Sequence, residues 1–182
     1  MAHLLIAYSS GEGQTEKIAE SMAGALREDG HAVRIENIDA LQPLHLDEFD
    51  GVIVGASVHV GKHHRNAREF VEHYINDLNA MPSAFFSVSL SEAGQDEAEH
   101  HAAEQMIKDF LDQTGWEPFM NASIAGAVHF DEYGFIKRAI MRRILRQHGE
   151  EDVTHDHEYT DWGVVKDFAK HFSQHVNQSK TR

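Results

Sequence analysis

The chain has 182 residues, with 16 Lys plus Arg against 30 Asp plus Glu, and a formal net charge of −14 with its 15 His counted neutral. That length suits one domain built around its own core, and the acidic balance opposes broad association with nucleic acid. With no cysteine anywhere, disulfides, thiol nucleophiles, Cys-held zinc and ordinary iron–sulfur clusters are excluded, so redox work would need a bound cofactor.

The opening MAHLLIAYSSGEGQT predicts a strand over residues 4–8 that enters a loop. It has no basic leader of the signal-peptide kind, and no apolar run of membrane-spanning length follows, so an intracellular chain is expected. Behind the loop, Ile18, Ala19, Met22, Ala23 and Leu26 recur at helical spacing among charged residues, which predicts an amphipathic helix closed near Gly30. A second strand is expected at 32–35 and a third, GVIVGAS, at 51–57. One helix carrying Phe70, Val71, Tyr74 and Leu78 then runs to the stop at Pro82. SAFFSVS at 83–89 reads as the fourth strand. The acidic EAGQDEAEHHAAE from Glu92 reads as a solvated lead-in to a helix with Ala103, Met106, Ile107, Phe110 and Leu111 inward. SIAGAV, at 123–128, is the fifth strand. The last helix, from Trp162 to about His175, carries Val164, Val165, Phe168, Ala169 and Phe172, and residues 177–182 read as a polar tail. Sustained strand–helix alternation predicts an α/β fold with a parallel sheet covered on both faces and ligands at the carboxyl ends of its strands. Residues 1–176 form one domain in this reading. Trp116 and Trp162 are expected to be packing anchors.

About 33 residues, 130–162, lie between the fifth strand and the last helix, more than a simple connection needs. Within them Lys137, Arg138, Arg142, Arg143 and Arg146 contribute +5 to a stretch with no acidic residue, leaving −19 on the rest of the chain. If residues 135–148 are helical, Ile136, Ile140, Met141, Ile144 and Leu145 occupy one arc and the arginines the other.

SSGEGQT offers the hydroxyls of Ser9, Ser10 and Thr15, the Gln14 amide and the backbone N–H groups of a helix start, a combination suited to a phosphate. A Walker loop would need Lys where Gln14 stands. A dinucleotide fingerprint would need a third glycine where Glu16 stands, although Glu36 at the end of the second strand would suit that reading. The remaining option is a single phosphate, as in flavin mononucleotide (FMN).

SSGEGQTEKIAE resembles the flavodoxin phosphate loop. With VIVGASVHVGKHHRNAREFV, MPSAFFSVSL, IAGAV and YTDW in the same order, the whole chain resembles the menaquinone-dependent protoporphyrinogen dehydrogenases of the haem pathway in proteobacteria. The resemblance implies a flavodoxin-like, doubly wound, five-stranded parallel sheet of order 2-1-3-4-5 with an insertion after the fifth strand, at about 130–160. It also implies noncovalent FMN, oxidation of protoporphyrinogen IX to protoporphyrin IX, and electron transfer to a respiratory quinone, menaquinone, at the cytoplasmic face of the inner membrane. Carried over position by position, the FMN phosphate falls to Ser10, Gly13, Gln14 and Thr15. Glu12 stands in the same turn, where flavodoxins usually carry a hydroxyl, so it is expected to offer backbone and point away. The second flavin loop would be Ala56, Ser57, Val58, His59, Val60 and Gly61, and the third Ser87, Val88, Ser89 and Leu90. Neither contains the aromatic residues that commonly sandwich the flavin in carrier flavodoxins, which would leave the ring open to a large substrate.

His59 is the candidate catalytic side chain, near the flavin or as a proton shuttle, since imidazole titrates near neutrality. His63 and His64 are lesser candidates, and Lys62 and Arg65 could meet a substrate carboxylate. Lys137, Arg138, Arg142, Arg143 and Arg146 could pair with porphyrinogen propionates or place the insertion on an anionic membrane surface or a respiratory-chain protein; a solvated helix face is the competing reading. The pairs His59/His63 and His171/His175 and the cluster at 155–158 match no zinc motif, so no metal is expected. The alternatives to the dehydrogenase are a flavodoxin electron carrier and a flavodoxin-like NAD(P)H quinone reductase.

Overall fold

A computed structural model describes residues 1–40, 43–59, 61–93, 97–128 and 157–180. Strand β1 (His3–Ser9) is buried from Leu4 onward because helices cover both of its faces. Leu4, Ile6 and Tyr8 pack with Ile18, Met22 and Leu26 of α1 (Gln14–Glu28) and with Val165, Phe168, Phe172 and Val176 of the last helix, α5 (Trp162–Ser179). The alternate residues Leu5 and Ala7 join the other layer. There they meet Phe70 and Val71 of α2 (Arg65–His73), Leu78 of α3 (Ile75–Ala80), and Ile107 and Phe110 of α4 (Glu97–Thr114). A strand that alternates between two apolar layers has no polar face, hence the unbroken LLIAY. Each large apolar side chain fully withdrawn from water contributes about 1.5–3 kcal/mol, so the two layers dominate the stability.

The parallel strands stand in the order β2 (Ala32–Asn37), β1, β3 (Gly51–His59), β5 (Ser83–Ser89), β6 (Met120–Ala125). Numbered among themselves these five read 2-1-3-4-5. From β1 the chain first goes to one side, to β2, and then returns to the other, to β3. The order reverses there, and the carboxyl ends of β1 and β3 diverge into the crevice where open α/β sheets hold ligands.

Several elements differ from the sequence expectation. β3 does not end at residue 57 but runs to His59 and folds back as β4 (Lys62–His63), pairing Val58 with His63 and His59 with Lys62. Gly61, at φ 73°, supplies the left-handed residue that closes this turn. The single helix expected to end near Pro82 is two, because Tyr74 leaves helical geometry at φ −105°, ψ 18°. Its hydroxyl is held at Leu44, accepting from the backbone N–H at 2.9 Å and donating to the carbonyl at 3.2 Å. The edge strand β6 starts three residues earlier than expected, in MNA, since an edge strand has no need of an unbroken apolar run. After it the chain leaves the sheet at Gly126, whose N–H donates to the Ser89 carbonyl, and Ala127–Val128 (β7) pairs antiparallel with His157–Glu158 (β8). α5 continues past His175 to Ser179. Val176 is fully buried, and Lys180 caps the end with its ammonium 2.7 Å from Asp50 Oδ2. Trp116 is buried, its indole N–H donating to Ser83 Oγ at 3.0 Å, and Trp162 packs beside the first layer. Among the described residues no helix is long and apolar enough to cross a membrane.

Candidate functional site

The loop after β1 holds itself open at a helix start. Gly13 takes φ 84° and caps α1 with no side-chain bond, so the N–H groups of Gln14, Thr15 and Glu16 precede the first ladder bond, which runs from Lys17 N–H to the Gly13 carbonyl. Such donors and the positive end of the helix dipole suit an anion. Ser10 Oγ accepts from Gly13 N–H at 2.9 Å and keeps its own proton for a ligand. Gln14 and Thr15 are buried, while Glu16 is held by a bond from the Tyr8 hydroxyl at 2.8 Å. Glu12 lies half-buried on the turn.

Asp39, just beyond β2, ties this loop to the start of α2. One of its oxygens accepts from Ser9 Oγ at 2.7 Å and from Asn66 Nδ2 at 2.9 Å; the other accepts from Ser10 N–H at 3.2 Å. His64 Nδ1 stands 3.6 Å away from the same carboxylate. Strand order explains the convergence: β2 neighbours β1, so a residue following β2 reaches the loop following β1. Glu36, the acid expected to favour a dinucleotide, is engaged by Arg34 at 2.6 Å instead.

In the second segment Ala56 is buried at the end of β3 and Ser57 Oγ is a buried hydroxyl oxygen with no hydrogen-bond partner. The His59 ring lies directly on Gly11: a Cβ at Gly11 would stand 2.3 Å from His59 Nε2. His59 also meets His64 edge-on, with centroids 5.9 Å apart. The structure therefore brings His59 and the phosphate loop together, which the 48-residue separation in sequence could not show. His63 turns the other way. Its ring packs against Phe85 and Phe110, at 5.3 and 4.9 Å, its Nε2 bonds Ser87 Oγ at 2.8 Å, and burial pushes its pKa from 6.5 down to about 4.

In the third segment Ser87, Val88 and Ser89 are buried strand residues; Ser89 Oγ accepts from Glu92 N–H at 3.3 Å, and Leu90 is half-buried at the strand exit. Glu92, His100 and Glu104 line a cavity of about 520 Å³ between α4 and β6. Among the described residues no group of three acidic or histidine side chains is placed to hold a metal ion. Val60, the basic residues Lys137, Arg138, Arg142, Arg143 and Arg146, and the segment 149–156 lie outside the described residues.

Two contributors had no assigned role in the sequence reading. Asp39 is one; its only signal is a carboxylate placed just after a strand that must neighbour β1. Thr160, in the YTDW motif, is the other: it accepts from Gln14 Nε2 at 2.9 Å and donates to the Ala125 carbonyl at 2.8 Å. Nearby, Lys17 Nζ lies 3.8 Å from Glu158 across exposed surface.

Residues 5–155 match the family model described as the flavodoxin domain. The chain belongs to the flavodoxin family. Within that family it is 33% identical over 178 residues to protoporphyrinogen IX dehydrogenase (quinone) of Escherichia coli strain K12, covering 97% of both chains. The enzyme of the same name from Leishmania major is 32% identical over 172 residues, 93% of this chain and 74% of the relative. Flavodoxin 1 from Bacillus cereus superposes with a TM-score of 0.57 at 17% identity, covering 95% of this chain and 98% of that one, which shows the shared fold. The flavodoxin phosphate loop fits a monophosphate here: donors without side-chain caps, a left-handed glycine and a hydroxyl with a free proton converge at one helix start, with no Lys or Arg in the loop to demand a di- or triphosphate.

Proposed function

We propose that this chain binds FMN, oxidises protoporphyrinogen IX to protoporphyrin IX and passes the electrons to a respiratory quinone, menaquinone, in haem biosynthesis. The observation that carries the reading is the relationship at 33% identity that runs over 97% of both chains, insertion included. Residues 1–176 act as one flavodoxin-like unit, with the basic insertion at about 130–160 as its added part.

The backbone N–H groups at Gln14 and Thr15, the Ser10 hydroxyl and the left-handed Gly13 would hold the phosphate, and residues 56–61 and 87–90, at and just beyond the ends of β3 and β5, would border the ring. Bound there, FMN supplies two-electron acceptance and single-electron return, which no side chain of this chain can provide. Converting protoporphyrinogen IX to protoporphyrin IX removes six electrons and six protons, balanced by three quinones each becoming a quinol. The chain's part is to place the substrate and to move protons. His59, on the phosphate loop, is the side chain suited to carry a proton. His63, neutral and bonded to Ser87, is a structural neighbour of the site at neutral pH. Lys137, Arg138, Arg142, Arg143 and Arg146 give the acidic body a cationic contact for propionates or for anionic lipid at the cytoplasmic face of the inner membrane.

An anaerobic assay tests the proposal: FMN-loaded protein in lipid is given protoporphyrinogen IX with menaquinone, ubiquinone or no acceptor, while porphyrin and flavin spectra are followed. Porphyrin should appear only with a quinone, and faster with menaquinone. Absence of quinone-dependent turnover would overturn the dehydrogenase, and rapid flavin reduction by NADPH would replace it with an NAD(P)H quinone reductase.

A further inference from the structure

The amide of Gln14 is the first residue of α1, 4% exposed, and half satisfied: Nε2 donates to Thr160 Oγ1, whereas Oε1 is buried with no hydrogen-bond partner. Thr160 fixes which half is which. The carbonyl of Ala125 can only accept, so the hydroxyl proton of Thr160 is committed to it and the oxygen is left to accept from Gln14. Thr160 is itself held in place. Tyr159 N–H donates to the Gly126 carbonyl at 3.1 Å, and Asp161 caps α5 by accepting from Gly163 N–H at 2.8 Å and Val164 N–H at 3.2 Å. Turning the amide over would set two acceptors, Oε1 and Thr160 Oγ1, against each other.

We infer that Thr160 is a positioning residue for cofactor binding: it presents Gln14 as an acceptor, so that Oε1 takes a hydroxyl proton from the ribityl chain of the flavin while the phosphate is left to the backbone N–H groups. A dianionic phosphate cannot satisfy Oε1, since its oxygens only accept, and a buried acceptor left unmatched costs about 1–3 kcal/mol. The segment that closes the insertion thereby reaches into the phosphate loop of β1, 146 residues away in sequence. This inference rests on the flavin reading above.

Flavin fluorescence quenching measures the affinities of three probes: FMN, riboflavin, which keeps the ribityl hydroxyls but lacks phosphate, and lumiflavin, which lacks both. Thr160→Val should weaken FMN and riboflavin alike by about tenfold and leave lumiflavin unchanged, and Thr160→Ser should restore wild-type affinity. Gln14→Met, which removes the amide from its other end, should give the same pattern, and the double variant should lose no more than either single. Unchanged FMN binding by Thr160→Val, equal loss of lumiflavin, or loss confined to FMN would overturn the inference. Failure of the unsubstituted chain to bind FMN would overturn the flavin reading itself.

Discussion

At the scale of single residues, the imidazoles divide by environment more than by position in sequence. His59, His63 and His64 are close neighbours in the chain, yet His59 lies on Gly11 while His63 is buried against Phe85 and Phe110, and that burial drives His63 down to about 4. A histidine kept neutral in the fold but protonated near 6.5 in the unfolded chain works against the fold in acid. The unfolded state takes up a proton that the fold refuses, so stability is full above about pH 6.5 and declines as pH falls toward 4. That gap corresponds to about 3 kcal/mol. His63→Gln, which can keep a bond to Ser87 Oγ without titrating, should flatten this part of the profile. Urea midpoints measured from pH 7 to pH 4 should fall less steeply for the variant than for the parent, and parallel curves would refute the assignment. The same residue shows why the sequence could rank these three histidines only loosely. Their common motif carries no record of Phe85, Ser87 and Phe110 closing on one of them.

At the scale of elements, glycine separates packing from propensity. Gly55 sits mid-strand in β3, and a Cβ there would stand 2.0 Å from Cζ of Phe86, a side chain with no exposed surface into which it could move. Gly55→Ala should therefore destabilise by about 1–3 kcal/mol through overpacking. Gly24 sits in the middle of α1 with nothing within 4 Å of the added atom. Gly24→Ala should instead stabilise by up to about 1 kcal/mol, the helix-propensity difference. Thermal unfolding of the pair checks both signs, and two changes of the same sign would contradict the packing account. Element type was legible from period and composition: β1, α1, β5, α4 and α5 stand where apolar spacing put them. The misplaced boundaries leave no trace in local period. The extension of β3 comes from the return of the chain at Gly61, which no apolar run marks; the break at Tyr74 depends on the distant Leu44 backbone, and the early start of β6 on its place at the sheet edge.

At the scale of the whole molecule, charge is divided between an acidic body and one cationic stretch. On the proposed function that division has a use: the body stays soluble while the insertion meets propionates or an anionic surface, each Lys or Arg near such a surface contributing about 1 kcal/mol. Replacing Arg138, Arg142 and Arg146 with Glu should abolish cosedimentation with phosphatidylglycerol vesicles and sharply reduce quinone-linked turnover, while FMN affinity stays within about twofold because the phosphate loop lies on other elements. Vesicle binding equal to that of the parent would remove the insertion from the membrane contact. The ribbon of β7 and β8 pairs residues 127–128 with 157–158, and Thr160, two residues beyond it, bonds Gln14 at the start of α1.

The sequence by itself determined the class of the fold and the exclusion of thiol chemistry and marked one loop as suited to a monophosphate, because these depend on local period, on the absence of a residue type and on a motif of seven consecutive residues. The resemblance carried by its longer motifs supplied the family. Only the tertiary structure decided that Asp39 binds the first loop to the start of α2, that His59 lies on Gly11 while His63 is withdrawn, and that Thr160 bonds Gln14. Those relations join residues 24 to 146 positions apart. They arise where parallel strands end side by side, and hydrogen bonds and close packing act through space, with no period or motif to mark them in the chain.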